Sequence, residues 1–153
     1  MESIHEIERL KARIELLEKM IKKTSVPIIS SIVDHTILVP IVGYTGAERF
    51  ELIRNQVLEY IGENPTVNCA IFDFTGSDLN ESDEHDYNTI AFELEVLNNT
   101  LKLMDIRPIS VGFNPSIVRR IVSAGVQMDF ESYINFRMAL KVLVKENESV
   151  IQL

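Results

Sequence analysis

A chain of 153 residues, 46% of them hydrophobic, has enough material for one packed core and an appendage, which excludes a disordered chain. Its 23 acidic and 15 basic residues leave a net charge of −8, which argues against nucleic acid as a partner because phosphate contacts need clustered cations. The single cysteine, Cys69, rules out an internal disulfide and a cysteine metal site, and points to a reducing compartment.

Met1 opens a charged helical segment and not a signal peptide, and no apolar run is long enough to span a bilayer. The sequence therefore predicts a cytoplasmic protein that does not engage a membrane. Residues 2–23 contain no Gly or Pro and are rich in helix formers. Within them Ile7, Leu10, Ile14, Leu17 and Ile21 repeat at alternating spacings of three and four. This is an a/d seam with Ile at a and Leu at d, the pairing that favours parallel two-stranded coiled coils. In that register Glu6 faces Lys11 of a partner and Arg13 faces Glu18, both attractive. The same stripe also fits an amphipathic helix folded back on its own domain; the charge pattern favours a homodimer. Thr24-Ser25-Val26-Pro27 ends the helix, because the residue before proline avoids the α region. The one boundary in the chain falls here, with a linker helix over 1–24 and a domain over 25–153.

Residues 26–33 and 36–42 read as two strands joined by a turn at Asp34-His35. Pro40 cannot donate to a ladder and implies an edge or a bulge. Gly43 to Gly46 is a loop, followed by a helix from Ala47 to Ile61 with Phe50, Ile53, Val57 and Tyr60 on one face and Gly62 as its stop. The apolar run over 67–74 reads as a fully buried strand that carries Asp73 near its end and breaks at Thr75-Gly76. An acidic patch with Ser77, Asp78, Glu81 and Ser82 follows it. A helix over Tyr87 to Met104 comes next, with the stripe Ile90, Leu94, Leu97, Leu101 and Met104. Residues 107–112 form a further strand. Asn114-Pro115 gives an N-cap and a first-turn proline for a helix whose buried face is Ile117, Val118, Ile121 and Val122, stopped by Gly125. Val126 to Phe130 is a short last strand, and Glu131 to Lys145 a last helix with Phe136, Leu140 and Val144 inward. After the first helix the order is β-β-α-β-α-β-α-β-α, which predicts an α/β fold with a mixed, mostly parallel sheet.

The chemistry-bearing residues form few patterns. Asp73 is expected to cap the turn at Thr75-Gly76; a receiver-type acyl-phosphate site would need an acid pair after the first strand, and Val33-Asp34 supplies none. Asp78 to Ser82 begins like a calcium loop, but Asp83 stands where glycine is needed and Thr89 where glutamate is needed. A solvated loop is expected there. His5, His35 and His85 make no ligand or triad pattern, Cys69 is a buried strand residue, and no Gly-rich phosphate loop follows any strand. No nucleophile sits beside a base. The sequence predicts no enzyme, no cofactor and no metal.

Three stretches together resemble a STAS domain, the sulfate-transporter and anti-sigma-factor-antagonist family, and within it the stressosome co-antagonists of the RsbR and RsbS type. They are SVPIISSIVDHTILVPIVGYTGAERF from Ser25, AIFDFTG from Ala70 and ISVGFNPSIVRRIVSAGVQMD from Ile109. These are similar to the family's opening hairpin with its Pro-x-x-Gly turn and Glu-Arg helix start, its Asp-x-Ser/Thr-Gly strand end, and its Gly-x-x-Pro-x-Ile helix. The first helix fits the helical linker that co-antagonists carry before the STAS domain.

The resemblance implies a partner-switching regulator in stress control of a sigma factor. A serine/threonine kinase would bind the STAS domain and phosphorylate a hydroxyl past the third strand, and other STAS proteins would join it in a stressosome-like assembly. Aligned forward from Gly76, the family's acceptor falls on Ser82. Aligned backward from the following strand, it falls on Asn88, beside Thr89, because the acidic stretch is longer than the family pattern. Ser82 is thus the first candidate acceptor and Thr89 the second. The threonine that co-antagonists place before Glu-Arg is replaced by Gly46-Ala47, with only Thr45 nearby. The expected partner surface comprises Gly43, Tyr44, Thr45, Thr75, Gly76, Ser77, Asp78 and Glu81. An unphosphorylated scaffold that uses its fixed acids, and a small-ligand or nucleotide sensor, are the alternatives.

Overall fold

The computed structural model of the chain describes residues 2–80, 86–125 and 130–151. Five strands form one sheet in the order β1-β2-β3-β4-β5. They are β1 (Ile29–Ser30), β2 (Thr36–Pro40), β3 (Cys69–Asp73), β4 (Arg107–Val111) and β5 (Glu131–Tyr133). Only β1 runs antiparallel, as the first arm of a hairpin, with Ile29 opposite Leu38. The parallel pairs are in register along Leu38, Ile71 and Ile109, with Ile109 opposite Glu131. This is the mixed, mostly parallel sheet that the alternating elements predict.

The centre of the sheet is apolar on both sides because β3 is covered on both sides. Cys69 and Ile71 point with Ile109 and Val111 toward helix α5 (Phe136–Ile151), where Ala139 and Leu143 meet them. Ala70 and Phe72 point the other way, into the larger core. That core is closed by α2 (Ala47–Glu63), α3 (Tyr87–Leu103) and α4 (Pro115–Ser123) through Phe50, Ile53, Val57, Ile90, Leu94, Leu97, Ile117 and Ile121. Burial pushes the Cys69 thiol up to about 11, so at neutral pH it is a protonated core side chain.

Several elements differ from their sequence-based expectation for physical reasons. β1 is two residues long. Ile41 donates to Asp73 in β3 at 2.8 Å, so the side of β2 that Pro40 faces is the β1 side, and β1 has already ended there. Pro40 therefore costs no ladder bond. Gly62 does not stop α2; the helix continues to Glu63 and Asn64 caps it, its amide donating to Tyr60 and Ile61. Most of the stretch proposed as the last strand, residues 126–129, lies outside the described residues, and the strand at Glu131–Tyr133 occupies what reads in sequence as a helix start. Asn135 then opens α5, its Oδ1 accepting from Met138 at 3.0 Å. The inward residues of α5 are Ala139 and Leu143, flanked by Phe136 and Leu140, while Val144 faces out. On α4 only Ile117 and Ile121 are buried; Val118 and Val122 are 46% and 65% exposed. A helix of nine residues resting on an edge of the core buries one narrow stripe.

Helix α1 (Glu2–Ser25) stands apart in its exposure. Ile7, Leu10, Ile14 and Leu17 are 43–52% exposed, so the seam is not spent on the chain's own core. The side chain of Ile21 lies outside the described residues. No described helix is long and apolar enough to cross a membrane.

At the end of the sheet opposite the β2 and β3 loops, Arg107 ties three elements together. Its guanidinium donates to Glu131 in β5 at 2.5 and 2.6 Å and to Glu146 in α5 at 2.7 Å. Burial alone would raise the Glu131 carboxyl, but hydrogen bonds from Arg107 and Tyr133 outweigh it and hold it below the ordinary carboxylate range. A carboxyl lowered on folding contributes stability that is fully present above its unfolded pKa and is lost as pH falls through its folded one. Glu131→Gln is therefore expected to lower stability at neutral pH, with the gap to the native chain closing in acid. Urea unfolding at a series of pH values reads this; a gap independent of pH would show that the charge is not what matters.

Candidate functional site

The loops that follow β2 and β3 leave the carboxyl ends of adjacent parallel strands, the place where open α/β sheets present their functional surface. Here the two loops are sewn together. Gly43 donates to Gly76 and accepts from Asp78, each at 2.9 Å, which makes a one-residue parallel bridge between Gly43 and Ser77. Thr45 donates its backbone N–H to Asp78 Oδ1 at 3.0 Å and its hydroxyl to the Gly43 carbonyl at 3.1 Å. With the Thr45 proton so committed, the 2.9 Å contact between Thr45 Oγ1 and Ser77 Oγ is a bond that Ser77 donates. Ser77 Oγ in turn accepts from the Leu79 amide at 3.1 Å.

The loop after β4 braces this junction from the other side. Asp73 Oδ1 accepts from Thr75 N at 3.0 Å and Thr75 Oγ1 at 2.6 Å, forming the turn at Thr75-Gly76 that its place in the sequence predicts. Gly112, with φ of 89°, passes so close that a Cβ built on it would lie 2.5 Å from both Thr75 N and Thr75 Oγ1. Beneath them Phe74 stacks on Phe113 with centroids 4.6 Å apart, and Phe50 lies 6.2 Å away.

Neither a protein-family model nor a curated protein matches the chain. Solved structures do. A serine-to-glutamate variant of RsbS from Moorella thermoacetica superposes with a TM-score of 0.63 at 14% identity, covering 82% of this chain and 99% of that one. The anti-sigma factor antagonist SpoIIAA in its unphosphorylated form gives 0.53 at 12% identity, over 78% and 97%. A component of the stressosome, a signal integration and transduction hub, gives 0.54 at 14% identity, over 79% and 98%. The chain has the STAS fold.

On this STAS fold the residues singled out from sequence fall into three groups. Tyr44 is 69% exposed, and Gly43, Thr75 and Gly76 are exposed beside it, with Asp78 half-buried. Thr45 and Ser77 are 0% and 1% exposed, so their side chains hold the loops in place and offer nothing to a partner. Glu81 and Ser82 lie outside the described residues. Thr89 is exposed in the first turn of α3, and its hydroxyl donates to Asp86 Oδ2 at 3.0 Å. Asp86 is the N-cap of α3, its Oδ1 accepting from Asn88 N at 3.0 Å and Thr89 N at 3.5 Å.

Two features of the site are not singled out by the sequence reading. Asp86 is one acid among several in a run, and only its place directly before Tyr87 and the apolar stripe marks it as a cap. The role of Gly112 depends on a contact with Thr75 across the sheet, which no local pattern encodes.

The buried hydroxyl pair gives a direct expectation. Ser77→Ala leaves the Leu79 amide buried without its acceptor, which costs about 1–3 kcal/mol. Chemical denaturation reads the loss; a change within error of zero would mean that the loops close without this bond.

Proposed function

We propose that this STAS-fold chain is a non-enzymatic, cytoplasmic partner-switching regulator of the anti-sigma-factor-antagonist kind, acting in stress control of a sigma factor. Its partners would be a serine/threonine kinase and other STAS proteins in a stressosome-like assembly. The observation that carries the reading is the junction of the β2 and β3 loops, a surface held rigid from below with Tyr44, Thr75 and Gly76 turned outward. A prepaid surface of this kind loses little entropy on docking a protein. The likeness to RsbS, SpoIIAA and a stressosome component supports the same reading.

The kinase would transfer a phosphoryl group to Ser82 or Thr89. On Thr89 the consequence follows from the cap. The O–H that Asp86 accepts would be replaced by a dianion facing the same carboxylate, and the start of α3 would have to rearrange. Self-association through the α1 seam, with Ile7, Leu10, Ile14, Leu17 and Ile21 facing their copies, would supply the dimer from which an assembly grows. Incubation with a serine/threonine switch kinase and ATP, followed by intact-mass and peptide mass spectrometry, tests the phosphoryl transfer. One added phosphoryl group on Ser82 or Thr89 is expected. An unchanged mass, with the chain still captured by the kinase, would identify a scaffold that is never modified.

A further inference from the structure

In a chain of net charge −8, a cleft on the described surface has two arginines in its lining. It measures 480 Å³ and lies between the first turn of α3 and the outer face of α4. Ser116, Arg119, Arg120 and Ser123 line it from α4, at spacings that bring them to one side of the helix, and Asn88 faces them from α3. Two guanidinium groups therefore converge with two neutral donors, the Asn88 amide and the Ser116 hydroxyl, while the Ser123 hydroxyl is already donated to the Arg119 carbonyl at 2.8 Å; no carboxylate is among the described lining residues.

The two arginines are prepared differently. Arg120 is fixed, its guanidinium 5.1 Å from the centroid of the Tyr87 ring and its Nη1 donating to Tyr87 Oη at 3.2 Å. Arg119 is exposed, and its side chain makes no hydrogen bond or ion pair among the described residues. A held cation beside an exposed one, with the Ser116 hydroxyl and the Asn88 amide as further donors, suits an anion with several acceptor oxygens more than a single carboxylate. The helix terminus is not what attracts that anion, because the Asn88 and Thr89 amides are already bonded to Asp86.

We propose that this cleft binds a phosphoryl group, with Arg119 and Arg120 as its countercharges. The group can come from a phosphorylated hydroxyl of this chain, with Thr89 in the adjoining turn, or from a phosphate carried by another molecule. The chemistry of the site is the same in both cases, and only the first source rests on the proposed kinase reaction.

The test uses the full, 15N-labelled, unphosphorylated chain titrated with inorganic phosphate, against chloride at matched ionic strength. Saturable shifts confined to the amides of Asn88, Ser116, Arg119 and Ser123 are expected, with affinity about tenfold weaker in Arg119→Gln. Arg119 is exposed, so this variant keeps the fold, and Arg119→Lys should recover part of the loss. Shifts that do not saturate, that spread over the surface, or that are equal in Arg119→Gln overturn the proposal. A second arm separates the sources. Chain already phosphorylated by a kinase shows the same shifts and takes up no added phosphate if the group is its own; it still binds added phosphate if the group arrives on another molecule. Failure of the kinase reaction leaves the first arm readable, so the two ideas fall separately.

Discussion

Gly112→Ala is expected to destabilise the chain by about 2–3 kcal/mol and to lower its melting temperature by about 5–10 °C. Two costs add at this position. The backbone sits at φ of 89°, where an L side chain is strained, and the new Cβ would lie 2.5 Å from the Thr75 amide nitrogen. Thr75 cannot step aside cheaply, because both its amide and its hydroxyl are bonded to Asp73. The damage should therefore reach the joined β2 and β3 loops as well as the core, and the proposed capture by a kinase should weaken along with stability. Gly62→Ala is the matched control. It lies within α2 with open space around it, so alanine should stabilise by about 0.5–1 kcal/mol. Thermal unfolding of both variants reads the contrast, and a Gly112→Ala chain as stable as the native one would mean that the loop after β4 is free to move away.

On the proposed self-association through α1, Ile14→Asp is expected to turn a dimer into a monomer while leaving the melting of the sheet and its covering helices unchanged. Ile14 takes an a position in the proposed seam and is 52% exposed in the single chain. An aspartate there would have to be buried against its own copy, two like charges in an apolar layer, which a short coiled coil cannot absorb. Light scattering checks the mass and calorimetry checks the domain. A mass that stays that of a dimer would move the interface from α1 to the faces of the domain.

The elements legible in the sequence are those whose signal is local. Asn114-Pro115 and Gly125 bracket α4 as read, because a cap, a first-turn proline and a left-handed stop are each one residue's chemistry. The run from Cys69 to Phe72 reads as buried because both faces of β3 are covered, so no polar residue interrupts it before Asp73 at the strand end. What fails is what depends on a neighbour. Val118 and Val122 have the right residue type for a buried face, yet α4 packs against α3 and the 78–80 turn, and only Ile117 and Ile121 are covered. Glu131 and Tyr133 read as helix residues, but pairing with Ile109 and Val111 draws them into the sheet. At the site, sequence finds the two loops, while the division of their residues into inner ties and outer surface depends on the bridge between Gly43 and Ser77.

That division has a consequence for how such a protein can change over time. The stitches between the loops use main-chain groups, two hidden hydroxyls and the half-buried Asp78 carboxylate, so the most exposed side chains make none of these bonds. Thr75 carries a further burden in this respect, since its hydroxyl is pinned by Asp73. Lineages could alter the outward face of this junction one residue at a time without passing through an unfolded ancestor.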